Sequence, residues 1–142
     1  MTLFNLSKTG LILSILSIIA GAVVRATGSG NGCGSSWPSC NGQVIPSLNS
    51  VSEQIEFSHR SISGLLLIVT LVIFLKSFHP SVPNIQKKVI KYLTFFVLFE
   101  ALIGAVIVLY EWVGMNSSLP RVAAVPLHLV NTFGLLAMYT VI

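Results

Sequence analysis

The chain has 142 residues, of which 54% are hydrophobic and only 8% charged, too few polar side chains to cover a water-facing surface. Its net charge of +4 comes from scattered Lys and Arg, with no basic stripe and no nucleic-acid motif, so no nucleic-acid partner is expected. Membrane lipid is the expected solvent, and the expected fold class is an all-α integral membrane protein, a bundle of transmembrane helices.

The first apolar run covers Lys8–Thr27. Lys8, the stretch Leu11–Ile19 and Ala20-Gly21-Ala22 also resemble a cleaved signal peptide. The apolar stretch continues to Val24, however, and three more spans follow, so a retained helix is expected. The connection Gly28–Glu56 is long, rich in Gly, Ser and Asn through Pro46, and holds Trp37-Pro38 between Cys33 and Cys40. Ser50 followed three residues later by Glu53 is a capping-box pattern, which starts the second helix near Val51, before its apolar part Phe57–Phe78. After His79–Lys88 comes a third run, Val89–Val113. The connection Gly114–Arg121 then leads to a fourth, Val122–Ile142. The expected helices are therefore 8–27, 51–78, 89–113 and 122–142, in one four-helix membrane domain. A transmembrane barrel is excluded, because no segments of about ten residues alternate strictly.

Lys8, Lys76, Lys87, Lys88 and Lys91 all fall on one side of this layout, while Arg25, Arg60 and Arg121 lie at helix ends on the other. The positive-inside rule then gives a multi-pass protein of the cell membrane with cytoplasmic termini and the Cys33/Cys40 loop outside. No basic anchor follows the fourth run, so the protein is expected to continue beyond Ile142.

Ionisable groups inside spans are costly and usually face the bundle interior. His59 and His128 stand near the outer ends of the second and fourth spans, at most about two turns apart in depth. Two neutral imidazoles at matched depth suit axial ligation of haem iron. A closed zinc site would need four ligands, and no further His or Cys is well placed. The plain alternative is that each histidine packs or hydrogen-bonds, and His79 reads as a loop residue. Glu56 shares a helix face with His59 and is a candidate general base, though at i,i+4 it can simply pair with Arg60. Glu53 reads as a solvated capping residue. Glu100, in the middle of the third span, is expected to be protonated or paired with Arg25. Arg25 is otherwise a snorkelling residue or a partner for a haem propionate. Cys33 and Cys40, on the oxidising side, favour a disulfide, either a structural clip or a redox-active pair. A weak internal echo links Gly21-Ala22-Val23-Val24 with Gly104-Ala105-Val106-Ile107, and His59…Gly64-Leu65-Leu66 with His128…Gly134-Leu135-Leu136, as two similar helical hairpins would.

Arg25-Ala26-Thr27-Gly28-Ser29-Gly30, then Cys33, Trp37-Pro38, Cys40, Gly42 and Pro46, resembles the first outer loop of the haem A synthase family. Glu56-Phe57-Ser58-His59-Arg60 resembles that family's glutamate-and-histidine motif, and Pro126-Leu127-His128-Leu129 resembles the segment with its next histidine. The resemblance implies an oxidoreductase that converts a methyl group of haem O to a formyl group, giving haem A for terminal oxidases. It implies His59 and His128 flanking the substrate haem, Glu56 assisting the oxidation, Arg25 or Arg60 on a propionate or structural, and Cys33 and Cys40 as the loop pair. Haem O synthase is the implied supplier of substrate. Eight-helix members carry a second four-helix half with a haem b cofactor. This chain then corresponds to the first half, whose activity needs the second half or another copy in a homo-oligomer. Glu100 stands where the family leads one to expect an uncharged polar residue such as Gln. The rival readings are a dihistidine electron-transfer protein of the cytochrome b kind, a quinone-linked disulfide-generating membrane protein, and a purely structural subunit. The disulfide-generating rival lacks the second cysteine pair that a relay would need.

Overall fold

The computed structural model describes residues 2–46, 50–113 and 117–142. Four long helices are present: α1 (Leu3–Ala26), α2 (Val51–Ser77), α3 (Asn84–Leu109) and α4 (Leu119–Val141), with a short 3-10 turn at Ser29–Asn31. All four are long and apolar enough to cross a membrane. At about 1.5 Å per residue each reaches roughly 35–40 Å, beyond the hydrocarbon thickness of about 30 Å. The chain is an all-α membrane bundle, as its composition requires. Among the described residues β pairing is limited to an isolated bridge between Cys40 and Gln43.

The helices follow one another around the bundle. α1 packs chiefly on α2, α2 on α3, α3 on α4, and α4 closes onto α1. α2 and α4 are thus diagonal partners across the centre. The chain ends meet at one face, where Gln86 Nε2 donates to the Ile142 carbonyl at 3.2 Å. This terminal face also receives the start of α1, the end of α2 and the start of α3, and with them all five lysines. The opposite, loop face holds the disulfide segment.

Helix ends depart from the apolar runs for local reasons. α1 begins at Leu3 because the Thr2 hydroxyl caps the Asn5 N–H at 3.2 Å. α2 starts at Val51 as the Ser50 signal requires, with Ser50 Oγ accepting from the Glu53 N–H at 3.3 Å. α3 starts at Asn84, directly after Pro83, and carries its lysines inside the helix. It stops at Leu109 rather than running to Val113. Glu111 adopts a left-handed φ of 54°, its N–H bonds Val108 O at 3.0 Å, and the Trp112 N–H bonds Ile107 O at 2.8 Å. That is a Schellman termination with a glutamate where glycine is usual. α4 opens with Pro120 in its first turn, three residues before its apolar run, and the connection before it contains Gly114, which lies outside the described residues.

The apolar core is concentrated toward the terminal face: Leu6, Leu66, Ile73, Ile90, Leu93, Val97, Leu135 and Tyr139 form one buried cluster. Close approach of α1 to α4 there depends on Gly10, where a Cβ would come within 2.2 Å of the Tyr139 ring. Tyr139 in turn shares a 2.6 Å hydrogen bond with Thr70 of α2. Nearer the loop face the bundle is not closed by side chains in this way. α1 has no buried residue after Ser14, and α4 has none before Asn131. In that half α3 buries Ile103 and Ala105, and the two histidines stand there.

Candidate functional site

His59 is the ninth residue of α2 and His128 the tenth of α4, so the diagonal helices carry their imidazoles at nearly the same distance from their starts. Each ring rests against a glycine of the neighbouring helix in its own hairpin. A Cβ at Gly21 of α1 would lie 3.1 Å from His59 Cε1, and one at Gly104 of α3 would lie 3.8 Å from His128 Cε1. The Gly-Ala-Val echo in the sequence thus has a structural counterpart: both hairpins place a glycine opposite a histidine. The Nδ1 atoms of both histidines are buried and make no hydrogen bond.

Their surroundings differ. His128 Nδ1 is 3.3 Å from Glu100 Oε1, a close contact that is not aligned as a hydrogen bond. Glu100 is held by α4 itself: Asn131 Nδ2 donates to Oε2 at 2.6 Å, and the Thr132 hydroxyl donates to Oε1. Asn131, 5% exposed, uses its amide on the Phe96 carbonyl as well, at 2.9 Å. Both partners of that amide are acceptors, which fixes its orientation. The expected pairing of Glu100 with Arg25 is not made. Arg25 is exposed at the end of α1, and Glu100 finds its partners on α4 instead.

On the loop side, Cys33 and Cys40 are joined by a disulfide, both essentially buried. The Asn41-Gly42 pair, with φ of 51° and 77°, turns the chain between Cys40 and Gln43, whose backbones exchange two 2.9 Å hydrogen bonds. The loop is seated directly on the first turns of α2. The Cys33 N–H donates to Glu56 Oε2 at 2.8 Å, Arg60 donates to the Ser36 and Ser39 carbonyls at 2.6 and 2.7 Å, and Arg60 also pairs with Glu56. Both carboxylate oxygens of Glu56 are therefore engaged, and the residue is 3% exposed. Glu53 is not the solvated residue its position suggested, because the loop folds back over it and Asn41 donates to its carboxylate. Gly32 makes this seating possible, since a Cβ there would meet the Ser52 carbonyl at 2.5 Å.

Asn131, Thr132, Asn41 and Gly32 were not singled out in the sequence. A signal existed for the first two, which follow His128 by three and four residues and so share its helix face. None existed for Asn41 or Gly32, whose roles arise from loop docking. His79 is the loop residue it was expected to be, bonded to Ser81 at 2.8 Å.

The residues fit a haem better than a bare ion. Among the described residues no three His, Cys, Asp or Glu side chains gather to hold a metal ion. A haem brings its own equatorial nitrogens and asks only for axial ligands. His59 and His128, on diagonal helices, are the side chains here of the type that could supply them.

Comparison with known proteins finds a family match in the first part of the chain and relatives over more of it. Residues 5–54 match the COX15-CtaA family model, described as cytochrome oxidase assembly protein. A protoheme IX farnesyltransferase of Thermus thermophilus is 42% identical over 133 residues, covering 89% of this chain and 21% of that protein. A haem A synthase of an Exiguobacterium species is 40% identical over 100 residues, covering 68% of this chain and 33% of the relative. That of Macrococcus caseolyticus is 40% identical over 116 residues, covering 75% and 37%. The chain thus spans about a fifth to just over a third of the length of these relatives. No solved structure matches.

Proposed function

We propose that this chain, a relative of the COX15-CtaA family and of the haem A synthases, holds haem O while one of its ring methyl groups is oxidised to a formyl group. The observation that carries the reading is the His59–His128 pair, one imidazole on each diagonal helix beside its glycine. His59 and His128 bind the substrate iron from opposite sides and fix the ring relative to α2 and α4. Since the relatives are longer, the oxidation is assigned to this four-helix unit acting with what lies beyond the matched region, or with a second copy. A haem b cofactor belongs to that remainder. Farnesyl transfer to protohaem supplies the substrate, which the name of the Thermus relative supports.

Orientation follows from charge. The five lysines gather at the terminal face, which we place in the cytoplasm, with the disulfide loop outside. Glu56, implied by the resemblance to be catalytic, is assigned here to positioning: with Arg60 and the Cys33 N–H on its oxygens, it locks the disulfide loop one helical turn from His59. Arg60, spent on loop carbonyls, is structural, whereas the exposed Arg25 is left for a propionate.

Haem extracted from the purified protein tests the reading. Haem O together with haem A, beside the haem b of the remainder, is expected from the whole protein. Haem b alone favours an electron-transfer protein, and absence of haem contradicts the proposal. For Glu56, the Glu56→Gln variant is expected to loosen the loop and lower haem A output without abolishing it. Full retention of haem O with complete loss of conversion returns Glu56 to a catalytic role.

A further inference from the structure

Glu100 is the one carboxylate in the middle of a spanning helix, and its contacts are with residues of α4. We infer that Glu100 is a positioning residue for His128, accepting the Nδ1–H of the imidazole so that Nε2 faces the haem iron with increased donor strength. The inference rests on the reading of His128 as an axial ligand.

Two hydrogen bonds reach this carboxylate, from Asn131 Nδ2 at 2.6 Å on one oxygen and from the Thr132 hydroxyl on the other, and His128 Nδ1 lies 3.3 Å from that second oxygen without bonding it. The Asn131 amide, whose other N–H is committed to a carbonyl, makes the carboxylate its acceptor. Asn131 and Thr132 stand on the same helix as His128, so α4 holds both the imidazole and the acceptor that orients it. Asn131 is buried and its second N–H is anchored on Phe96 O, which ties the assembly to the α3 backbone. The His128–Glu100 contact is within hydrogen-bond distance but not aligned as a hydrogen bond. Such contacts commonly tighten only when a site is loaded. Partners of this kind set the tautomer and basicity of ligating histidines.

His59 has no carboxylate counterpart. Its Nδ1 makes no hydrogen bond, and the helix facing it in its own hairpin supplies Gly21 and the Ser17 backbone instead. The two axial ligands are therefore unequal. A carboxylate behind one imidazole favours ferric over ferrous iron, so Glu100 keeps the potential of the bound haem low.

The test uses the haem-loaded protein, unaltered and as Glu100→Gln, with His128→Ala alongside. For Glu100→Gln we expect haem affinity to fall about 10–100-fold. The haem midpoint potential should rise by about 59 mV for each tenfold loss of ferric preference. A changed affinity with an unmoved potential means a packing role only and overturns the inference. Should Glu100→Gln not accumulate, nitrogen-15 NMR of the reduced unaltered protein decides. One histidine Nδ1 proton should lie far downfield of the other, and equal shifts overturn the inference. His128→Ala separates the two ideas: if it leaves the haem spectrum untouched, the ligand reading itself fails, whatever Glu100 does.

Discussion

Replacing Gly32 by Ala should unseat the disulfide loop from α2. The added Cβ would sit 2.5 Å from both the carbonyl carbon and oxygen of Ser52 and 2.7 Å from the Glu53 nitrogen. All three are backbone atoms in the first turn of a helix, so none can swing aside as a side chain would. Ordinary carbon contacts begin near 3.5 Å, so loop and helix must part by about 1 Å. The 2.8 Å bond from Cys33 to Glu56 and the 2.6 and 2.7 Å bonds from Arg60 to Ser36 and Ser39 then stretch beyond useful length. Overpacking costs about 1–3 kcal/mol and hydrogen bonds to charged groups about 1.5–3 kcal/mol each. Partial relaxation brings the expected total to roughly 2–4 kcal/mol. Thermal unfolding in detergent, with limited proteolysis of the loop, reads the effect. Gly64→Ala is the control, since a Cβ there meets nothing within 4 Å. If Gly32→Ala melts and resists protease like the unaltered protein, the docking argument is wrong.

Other expectations follow from the same contacts. Arg60→Met strips Glu56 of its charged partner in a buried setting and should cost about 3–5 kcal/mol in unfolding measurements, part of which Glu56→Gln added to it recovers. Equal instability of single and double variants would refute the ion-pair account. Gly10→Ala must displace the Tyr139 ring and break its bond to Thr70, for a loss of about 2–4 kcal/mol. An unshifted melting temperature would show that α1 and α4 are not packed as described. Thiol reagents should label neither Cys33 nor Cys40 until a reductant is added. Labelling beforehand would show that the pair is not bonded.

The helices were legible because lipid leaves the backbone no choice: four runs too long and too apolar for anything else became α1 to α4. Their ends were less so. α3 looked apolar through Val113, but the reversal at Glu111 depends on a left-handed residue that no hydropathy pattern encodes. The matched depth of His59 and His128 could be counted from the spans, and the echo of Gly21 with Gly104 hinted at the glycine behind each ring. The partners of Glu100 could not be counted, because choosing Asn131 and Thr132 over Arg25 depends on how α4 rotates against α3. Glu53 misled for a related reason. A capping glutamate is solvated unless a distant loop folds over it, and here Asn41 does so.

Axial ligation is to be measured on the haem-loaded protein. A six-coordinate, low-spin spectrum with two imidazole ligands is expected in the unaltered protein. His59→Ala and His128→Ala should each lose that signature along with most of the bound haem. Retention of the same low-spin spectrum and haem content in both variants would contradict ligation by this pair.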